Sequence, residues 1–280
     1  MSLPYLLVEP AVRAGLLEDI GRAGDITSEA VIPASSRTIC ALEVREPGVI
    51  AGLDFARTAF FLIDPAIKFT SLLADGTRVQ PGDIIATIEG PSRGILSAER
   101  VALNFLGHLS GIATATRGIA DAIAHTKARI TCTRKTMPGL RFAQKYAVRC
   151  GGGANHRFGL DDAILIKDNH VAIAGGIRNV LRAAKKSAGH LVKIELEVDS
   201  LMQLGEALDE GVDVVLLDNF DLIGLREAVA LIDGRAIAEA SGRISPVTAP
   251  AIAETGVDYL SAGWLTHTVR VLDIGLDFRA

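Results

Sequence analysis

Three short runs carry the groups most able to do chemistry: Thr133-Arg134-Lys135-Thr136, Asn155-His156-Arg157 and Ile166-Lys167-Asp168-Asn169-His170. The first two lie in a stretch, Ala122 to Leu160, that has no Asp or Glu. That stretch holds Lys127, Arg129, Arg134, Lys135, Arg141, Lys145, Arg149 and Arg157, with His125 and His156. A block of one sign concentrates positive potential and suits an anionic ligand. A solvated basic face or a nucleic-acid patch would carry the same charge. The interleaved Pro138-Gly139, Gly151-Gly152-Gly153 and His156 favour a shaped site for a small anion instead, because the charges do not follow the spacing of an exposed helix face.

Acidic groups follow. Glu197 and Asp218 close two successive apolar runs, and two converging carboxylates can hold Mg²⁺ or bond sugar hydroxyls. A structural ion pair with a nearby Lys or Arg is the alternative. Glu195 shares a strand face with Glu197 and is expected to point deeper, where a carboxylate needs a cationic partner such as Lys193 or Lys167. Ser241-Gly242 and Ala262-Gly263 resemble two loops of a phosphate cradle, in which glycine lets backbone N–H groups approach phosphate oxygens. The histidines lack zinc spacing, and His156, beside Arg157, is expected to donate to a ligand rather than bind metal.

Behind these residues stands a chain of 280 residues, 49% hydrophobic and only 5% aromatic, so the core must be aliphatic. That length suits one large α/β domain with a smaller one. A formal net charge of −4 argues against nucleic acid as the main partner. Cys40, Cys132 and Cys150 form no metal-ligand spacing, and with no basic leader and apolar run at the start they fit a reducing cytoplasm. No apolar stretch approaches the roughly 20 residues needed to cross a bilayer, so no membrane partner is expected.

The elements that must position the site change character near residue 110. Before it, Thr38 to Val44 and Ile84 to Ile88 read as strands, bounded by turns such as Glu46-Pro47-Gly48 and Gln80-Pro81-Gly82-Asp83. A helix is expected from about Ala98 to His125, with Leu103, Leu106, Leu109 and Ile112 at helical spacing. After it, strands at 129–132, 163–166, 193–198, 212–217, 236–240 and 259–261 alternate with helices at 138–148, 177–187, 201–210, 222–232 and 246–254. That rhythm implies parallel strands with helical crossovers.

Nearly every expected strand ends in a residue with chemistry: Arg134 and Lys135, Lys167, Glu197, Asp218, Ser241, Gly263. Active sites of α/β barrels collect at such carboxyl ends. A doubly wound sheet would gather them at one switch point. Six strands, fewer than eight, point to an incomplete (open) α/β barrel with a smaller N-terminal α/β sandwich domain. The boundaries are set at 1–110 and 111–266, with the tail 267–280 expected to pack back on the first domain.

Longer motifs carry a resemblance. Gly24-Asp25-Ile26-Thr27, Leu103-Asn104-Phe105-Leu106, Ser110-Gly111-Ile112-Ala113-Thr114, the whole run Thr133 to His170, Leu216-Leu217-Asp218-Asn219, Glu239-Ala240-Ser241-Gly242 and Leu265-Thr266-His267 resemble the quinolinate phosphoribosyltransferase family across essentially the whole chain. The resemblance implies transfer of phosphoribosyl from phosphoribosyl pyrophosphate (PRPP) to quinolinate with loss of CO₂, a step of NAD biosynthesis that uses Mg²⁺. It implies a homodimer with shared active sites. It also implies roles. Arg134, His156, Arg157 and Lys167 would hold the quinolinate carboxylates, joined by Arg100 of the neighbouring subunit. Lys135, Lys167 and Arg134 would face pyrophosphate. Glu197 and Asp218 would position Mg²⁺ and the ribose hydroxyls, and Ser241, Gly242 and Gly263 the 5′-phosphate. Lys135, Lys167, Glu197 and Asp218 are the expected catalytic set.

Two departures sit at the phosphate end: Arg243 where the family's Ser-Gly-Gly pattern has glycine, and Trp264 where a small residue is expected beside Gly263. Competing readings are a paralogue with another acceptor and a non-catalytic sugar-phosphate-binding barrel, since fold alone does not fix function.

Overall fold

The structure is a computed structural model and describes residues 3–279. In chain order the elements are α1 (Tyr5–Ile20), α2 (Ile26–Val31), β1 (Arg37–Val44), β2 (Gly48–Val49), α3 (Leu53–Ile63), β3 (Lys68–Ser71), β4 (Arg78–Val79), β5 (Ile84–Pro91) and α4 (Ser92–Ala122). They continue with β6 (Arg129–Thr131), α5 (Arg141–Cys150), β7 (Ile164–Ile166), α6 (Asp168–Ala174), α7 (Ile177–Ser187), β8 (Ile194–Val198) and α8 (Leu201–Asp209). The remainder is β9 (Val214–Asp218), α9 (Leu222–Ile232), β10 (Ile237–Ser241), α10 (Ala249–Ala253), β11 (Tyr259–Ser261) and β12 (Ile274–Arg279).

Two compact units result. The first runs up to Arg117 and adds Thr136–Gly152 and the segment from Thr266 onward; the second is Gly118–Lys135 with Gly153–Leu265. The segment 136–152 thus belongs with the first unit. Two hydrogen bonds hold it there: the Tyr146 hydroxyl donates to Asp75 Oδ2 at 2.7 Å, and Gln144 Nε2 lies 2.8 Å from His108 Nε2.

The first unit is built on an antiparallel sheet in the order β12-β1-β5-β3. Alternation along β5 buries Ala86, Ile88 and Gly90, and a register shift opposite Leu42 and Glu43 buries Ile85 as well; Ile85 and Ile88 join Leu42, Phe55, Phe60 and Ile95 in the core. Each such side chain contributes roughly 1.5–3 kcal/mol by leaving water. Helix α3 starts at Gly52, whose φ of 105° and whose approach to Leu109 leave no room for a side chain. Asp75 closes the turn by accepting from Gly52 N (2.9 Å) and Leu53 N (3.2 Å). Helix α4 begins earlier than its apolar spacing suggests, because Ser92 continues straight out of β5 and its N–H bonds Ser36 O at 2.9 Å.

The second unit is a six-stranded parallel sheet in the order β6-β11-β10-β9-β8-β7 with connecting helices. Among the described residues its end strands β6 and β7 do not pair, so the α/β barrel is open. On the outer side of β6, Ala154 bridges Thr131, with its N–H on Ile130 O at 2.8 Å. Buried runs such as Val215-Leu216-Leu217 mark strands covered on both faces. Helix starts are capped as their sequences require: Ser200 accepts from Gln203 N, and Asp221 from Gly224 N.

Three local expectations shift. Helix α6 was not marked by apolar spacing, because none of its residues is buried. Helix α5 starts at Arg141 rather than Pro138, since Gly139 turns with φ 77° and Gln144 Oε1 accepts from Met137 N. Helix α10 starts at Ala249, because the Ser245 and Thr248 hydroxyls bond the preceding loop instead.

Candidate active site

The sheet order places six strand ends side by side, each with the residues expected to do chemistry. Arg134 and Lys135 follow β6, Gly263 follows β11, Ser241 ends β10 with Gly242 next, Asp218 ends β9, Glu197 is the penultimate residue of β8, and Lys167 follows β7. Every connection is parallel, so these groups gather at one edge. Arg100 belongs to the first unit, exposed on α4.

Local contacts tie neighbouring ends together. Lys167 Nζ donates to Glu197 Oε2 at 2.7 Å, and the backbone N–H of Lys167 donates to His170 Nδ1 at 2.9 Å. Asn219 Nδ2 donates to Asp218 Oδ2 at 2.8 Å, while Asn219 N–H donates to Ser241 O at 3.0 Å. At Gly242, with φ 96°, an added Cβ would stand 2.3 Å from Asn219 Oδ1. At Gly263 a Cβ would stand 2.7 Å from Lys135 Cδ, so the glycine lets the Lys135 stem cross. Arg243 takes the left-handed conformation at φ 54°, which favours glycine. Trp264 Nε1 donates to Ile244 O at 2.8 Å and pins the loop after β10 to the one after β11.

Arg157 is half-buried. Its Nη1 donates to Ala163 O at 3.1 Å, and its buried Nε has no hydrogen-bond partner. Burial and the nearby charge of Arg134 lower its pKa, opposed by the carboxylates of Glu195 and Asp162. The loop after it is closed by Asp162, which accepts from Phe158 N and Gly159 N.

The expectation for Glu195 needs correction. Lys193 pairs with Asp213 (2.7 Å) and Lys167 with Glu197 (2.7 Å), so neither is its partner. Glu195 instead meets His156: its Oε2 lies 3.0 Å from His156 Nε2, and Glu239 Oε1 lies 3.5 Å from the same nitrogen. All three are buried or nearly so, and their ligand atoms lie within 4.8 Å of one another. The other ring nitrogen, Nδ1, accepts from the backbone N–H of Arg157 at 2.7 Å. Burial first, and then the charge of Glu195, raises the Glu239 pKa to about 7, against the pull of His156 and a hydrogen bond from Ser261. Sequence reasoning assigned Glu239 no role. The available signal was an acid two residues before a strand-end Ser241 in an otherwise apolar strand, as Glu195 stands two before Glu197.

The rest of the basic block divides. Arg141, Lys145 and Arg149 belong to the first unit, where Lys145 is wholly buried and Arg141 Nε donates to Thr136 Oγ1 at 2.9 Å.

A parallel barrel edge bearing arginines, a Lys–Glu pair, a second acid and two glycine loops is the edge of an α/β barrel with the chemistry to take an anionic ligand. Comparison with known proteins agrees. Residues 25–110 match the family model "Quinolinate phosphoribosyl transferase, N-terminal domain", and residues 112–277 match the "Quinolinate phosphoribosyl transferase, C-terminal domain". "Nicotinate-nucleotide pyrophosphorylase [carboxylating]" of Mycobacterium leprae is 48% identical over 272 residues, 95% of each chain. The chloroplastic protein of that name from Oryza sativa is 40% identical over 98% of this chain and 78% of its own. The solved nicotinate-nucleotide pyrophosphorylase from Francisella tularensis superposes with a TM-score of 0.95 at 40% identity, covering 99% of this chain and 98% of its own. The chain belongs to the quinolinate phosphoribosyl transferase family.

Proposed function

We propose that this chain transfers the phosphoribosyl group of PRPP to quinolinate, releasing pyrophosphate and CO₂ and giving nicotinate mononucleotide for NAD biosynthesis. The observation that carries this is the ordered row of strand ends, with cations at both flanks, acids on β8 and β9, and glycine loops on β10 and β11. Quinolinate is a dianion, and the forked guanidinium of Arg134 or Arg157 bonds both oxygens of a carboxylate. Lys167 serves the second carboxylate. The crossing of Lys135 over Gly263 supports a place for Lys135 against pyrophosphate, with Ser241, Gly242 and Gly263 around the 5′-phosphate.

As the glycosidic bond to pyrophosphate breaks, positive charge builds at C1′ and negative charge on the leaving group. Lys135 and Lys167 stabilise the second, Glu197 and Asp218 orient the ribose hydroxyls, and the pyridinium nitrogen draws the electrons left by departing CO₂. No covalent link to the enzyme is required. The two carboxylates are hard oxygen donors, few in number, which fits Mg²⁺ held partly through substrate phosphates. Glu197 and Asp218 would hold Mg²⁺, which would supply charge neutralisation for the departing pyrophosphate.

The exposed position of Arg100 on α4 supports a homodimer in which Arg100 serves the partner's site. None of the three cysteines forms a disulfide, which supports a cytoplasmic place. Among the described residues no helix is long and apolar enough to cross a membrane.

The test is an assay of purified protein with quinolinate, PRPP and Mg²⁺, following nicotinate mononucleotide and CO₂, with nicotinate as control acceptor. Mg²⁺-dependent product from quinolinate alone is expected. Turnover of another acceptor, or PRPP binding without turnover, would move the chain to the paralogue or binding-barrel reading.

A further inference from the structure

His156 has used both ring nitrogens inside the protein. Nδ1 accepts from the N–H of Arg157 at 2.7 Å, so it carries no proton. The ring proton therefore sits on Nε2, which faces Glu195 Oε2 at 3.0 Å and Glu239 Oε1 at 3.5 Å. An imidazole held this way is a link in a chain, with no N–H left for an incoming carboxylate.

The link runs from the barrel floor to Arg157. Glu195 lies on β8 and Glu239 on β10, both over nine-tenths buried, and each keeps one Oε1 without a hydrogen-bond partner. A buried carboxylate needs a cation or strong donors. The nearest conventional partners are taken, Lys193 by Asp213 and Lys167 by Glu197. The His156 N–H faces both acids, and Ser261 bonds Glu239. Through space, Glu195 thus lends favourable potential to the Arg157 guanidinium, which the charge of Arg134 opposes. The arrangement also fixes the backbone of Arg157 through Nδ1, while Ala163 O fixes its side chain at Nη1. A metal bound by His156, Glu195 and Glu239 would need Nε2 without its proton, and would sit beside these two cations.

We propose that Glu195, acting through the Nε2–H tautomer of His156, is a positioning residue for Arg157, and that His156 supports the acceptor site without itself bonding the substrate. The inference rests on the proposed quinolinate reaction for its meaning, but its geometry can be read without turnover.

Two measurements test it. The first is long-range ¹H–¹⁵N NMR of ¹⁵N-histidine-labelled protein near neutral pH, with the His156 signals assigned by their loss in His156→Gln. An unprotonated Nδ1 and a protonated Nε2, unchanged on saturation with quinolinate, are expected. A proton on Nδ1, an imidazolium, a tautomer change with quinolinate, or one bound metal per chain by elemental analysis would overturn the proposal. The second is Glu195→Gln, which keeps the shape of the side chain and removes its charge. The quinolinate KM should rise about ten- to a hundredfold, as for loss of a charge-assisted contact, with the PRPP KM within about twofold. Glu195→Asp should recover part of the loss. Equal effects on both KM values, or none, would mean that Glu195 only fills space. If Glu195→Gln does not fold, or the wild-type protein turns over no quinolinate, the tautomer of the unaltered protein decides the geometry by itself. Lack of turnover would count against the proposed reaction alone.

Discussion

Lys167 Nζ donates to Glu197 Oε2 at 2.7 Å, joining the ends of β7 and β8 across the sheet edge. The Lys167 side chain is 49% exposed and that of Glu197 17%. Exposed ion pairs contribute about 0–1 kcal/mol to stability, so this one is poorly explained as a brace. A pair that holds a lysine ready at low energetic gain can exchange carboxylate for substrate. Lys167→Ala is therefore expected to leave the melting temperature nearly unchanged and to lower kcat/KM about a hundred- to a thousandfold, as removal of one preorganised donor does. Thermal unfolding beside steady-state kinetics checks both halves. A large loss of stability with modest loss of activity would return the pair to a structural role.

Glu239 carries the pH dependence of the barrel floor. Its pKa in the folded protein, about 7, lies above the ordinary 4.5. The unfolded chain then releases this proton more readily than the folded one. Its contribution favours folding below about pH 4.5 and is lost as pH rises toward 7, after which it levels off. Glu239→Gln removes that penalty. The variant should match the wild type near pH 4 and exceed it at pH 8 by about 1–3 kcal/mol. Urea unfolding at the two pH values measures the difference, and a constant difference would mean that folding does not shift the Glu239 pKa.

Much of this site was legible because its residues obey local rules. Lys167, Glu197, Asp218 and Ser241 each follow or close an apolar run, and a parallel barrel must bring such ends together. The bounds of α7, α9 and β11 follow directly from capping and apolar spacing. What was not legible is which buried groups meet across the sheet. Glu195 and Glu239 are marked by the sequence as acids in buried strands, but their meeting with His156 depends on the loop that Ala154 fixes beside β6. Strand spacing carries no record of that bridge. Helix α6 was equally silent, since a helix without a buried face has no period to read.

In the first unit, Asp75 is the joint to test. Its carboxylate accepts from Gly52 N, Leu53 N and the Tyr146 hydroxyl, so one side chain caps α3 and holds α5. Burial and the Asp75 charge push the Tyr146 pKa up, which keeps that hydroxyl a donor. Asp75→Ala removes a cap, about 1 kcal/mol, and takes the Asp75 acceptor from the buried Tyr146 hydroxyl, about 1–3 kcal/mol. A total loss of about 2–4 kcal/mol is expected in denaturant unfolding. Tyr146→Phe removes the hydroxyl's bond to Asp75 and leaves the cap, so the smaller loss, about 1 kcal/mol, is expected.

The loop after β10 separates stability from binding. Arg243 holds φ 54°, a conformation that costs an ordinary residue about 1 kcal/mol. Arg243→Gly relieves it, and because glycine loses more chain entropy on folding, the net gain should be only about 0.5 kcal/mol. If the arginine is kept for its charge beside the phosphate loop, the same change raises the PRPP KM severalfold and leaves that for quinolinate alone. Gly242→Ala gives the contrast: its Cβ would meet Asn219 Oδ1 at 2.3 Å at a φ of 96°, so loop and β9 end must move apart. It should lower stability by about 1–3 kcal/mol and raise the PRPP KM. Trp264→Phe removes only the indole bond to Ile244 O and should fall between the two. An unchanged PRPP KM in Arg243→Gly, with the stability gain present, would place the Arg243 side chain in solvent.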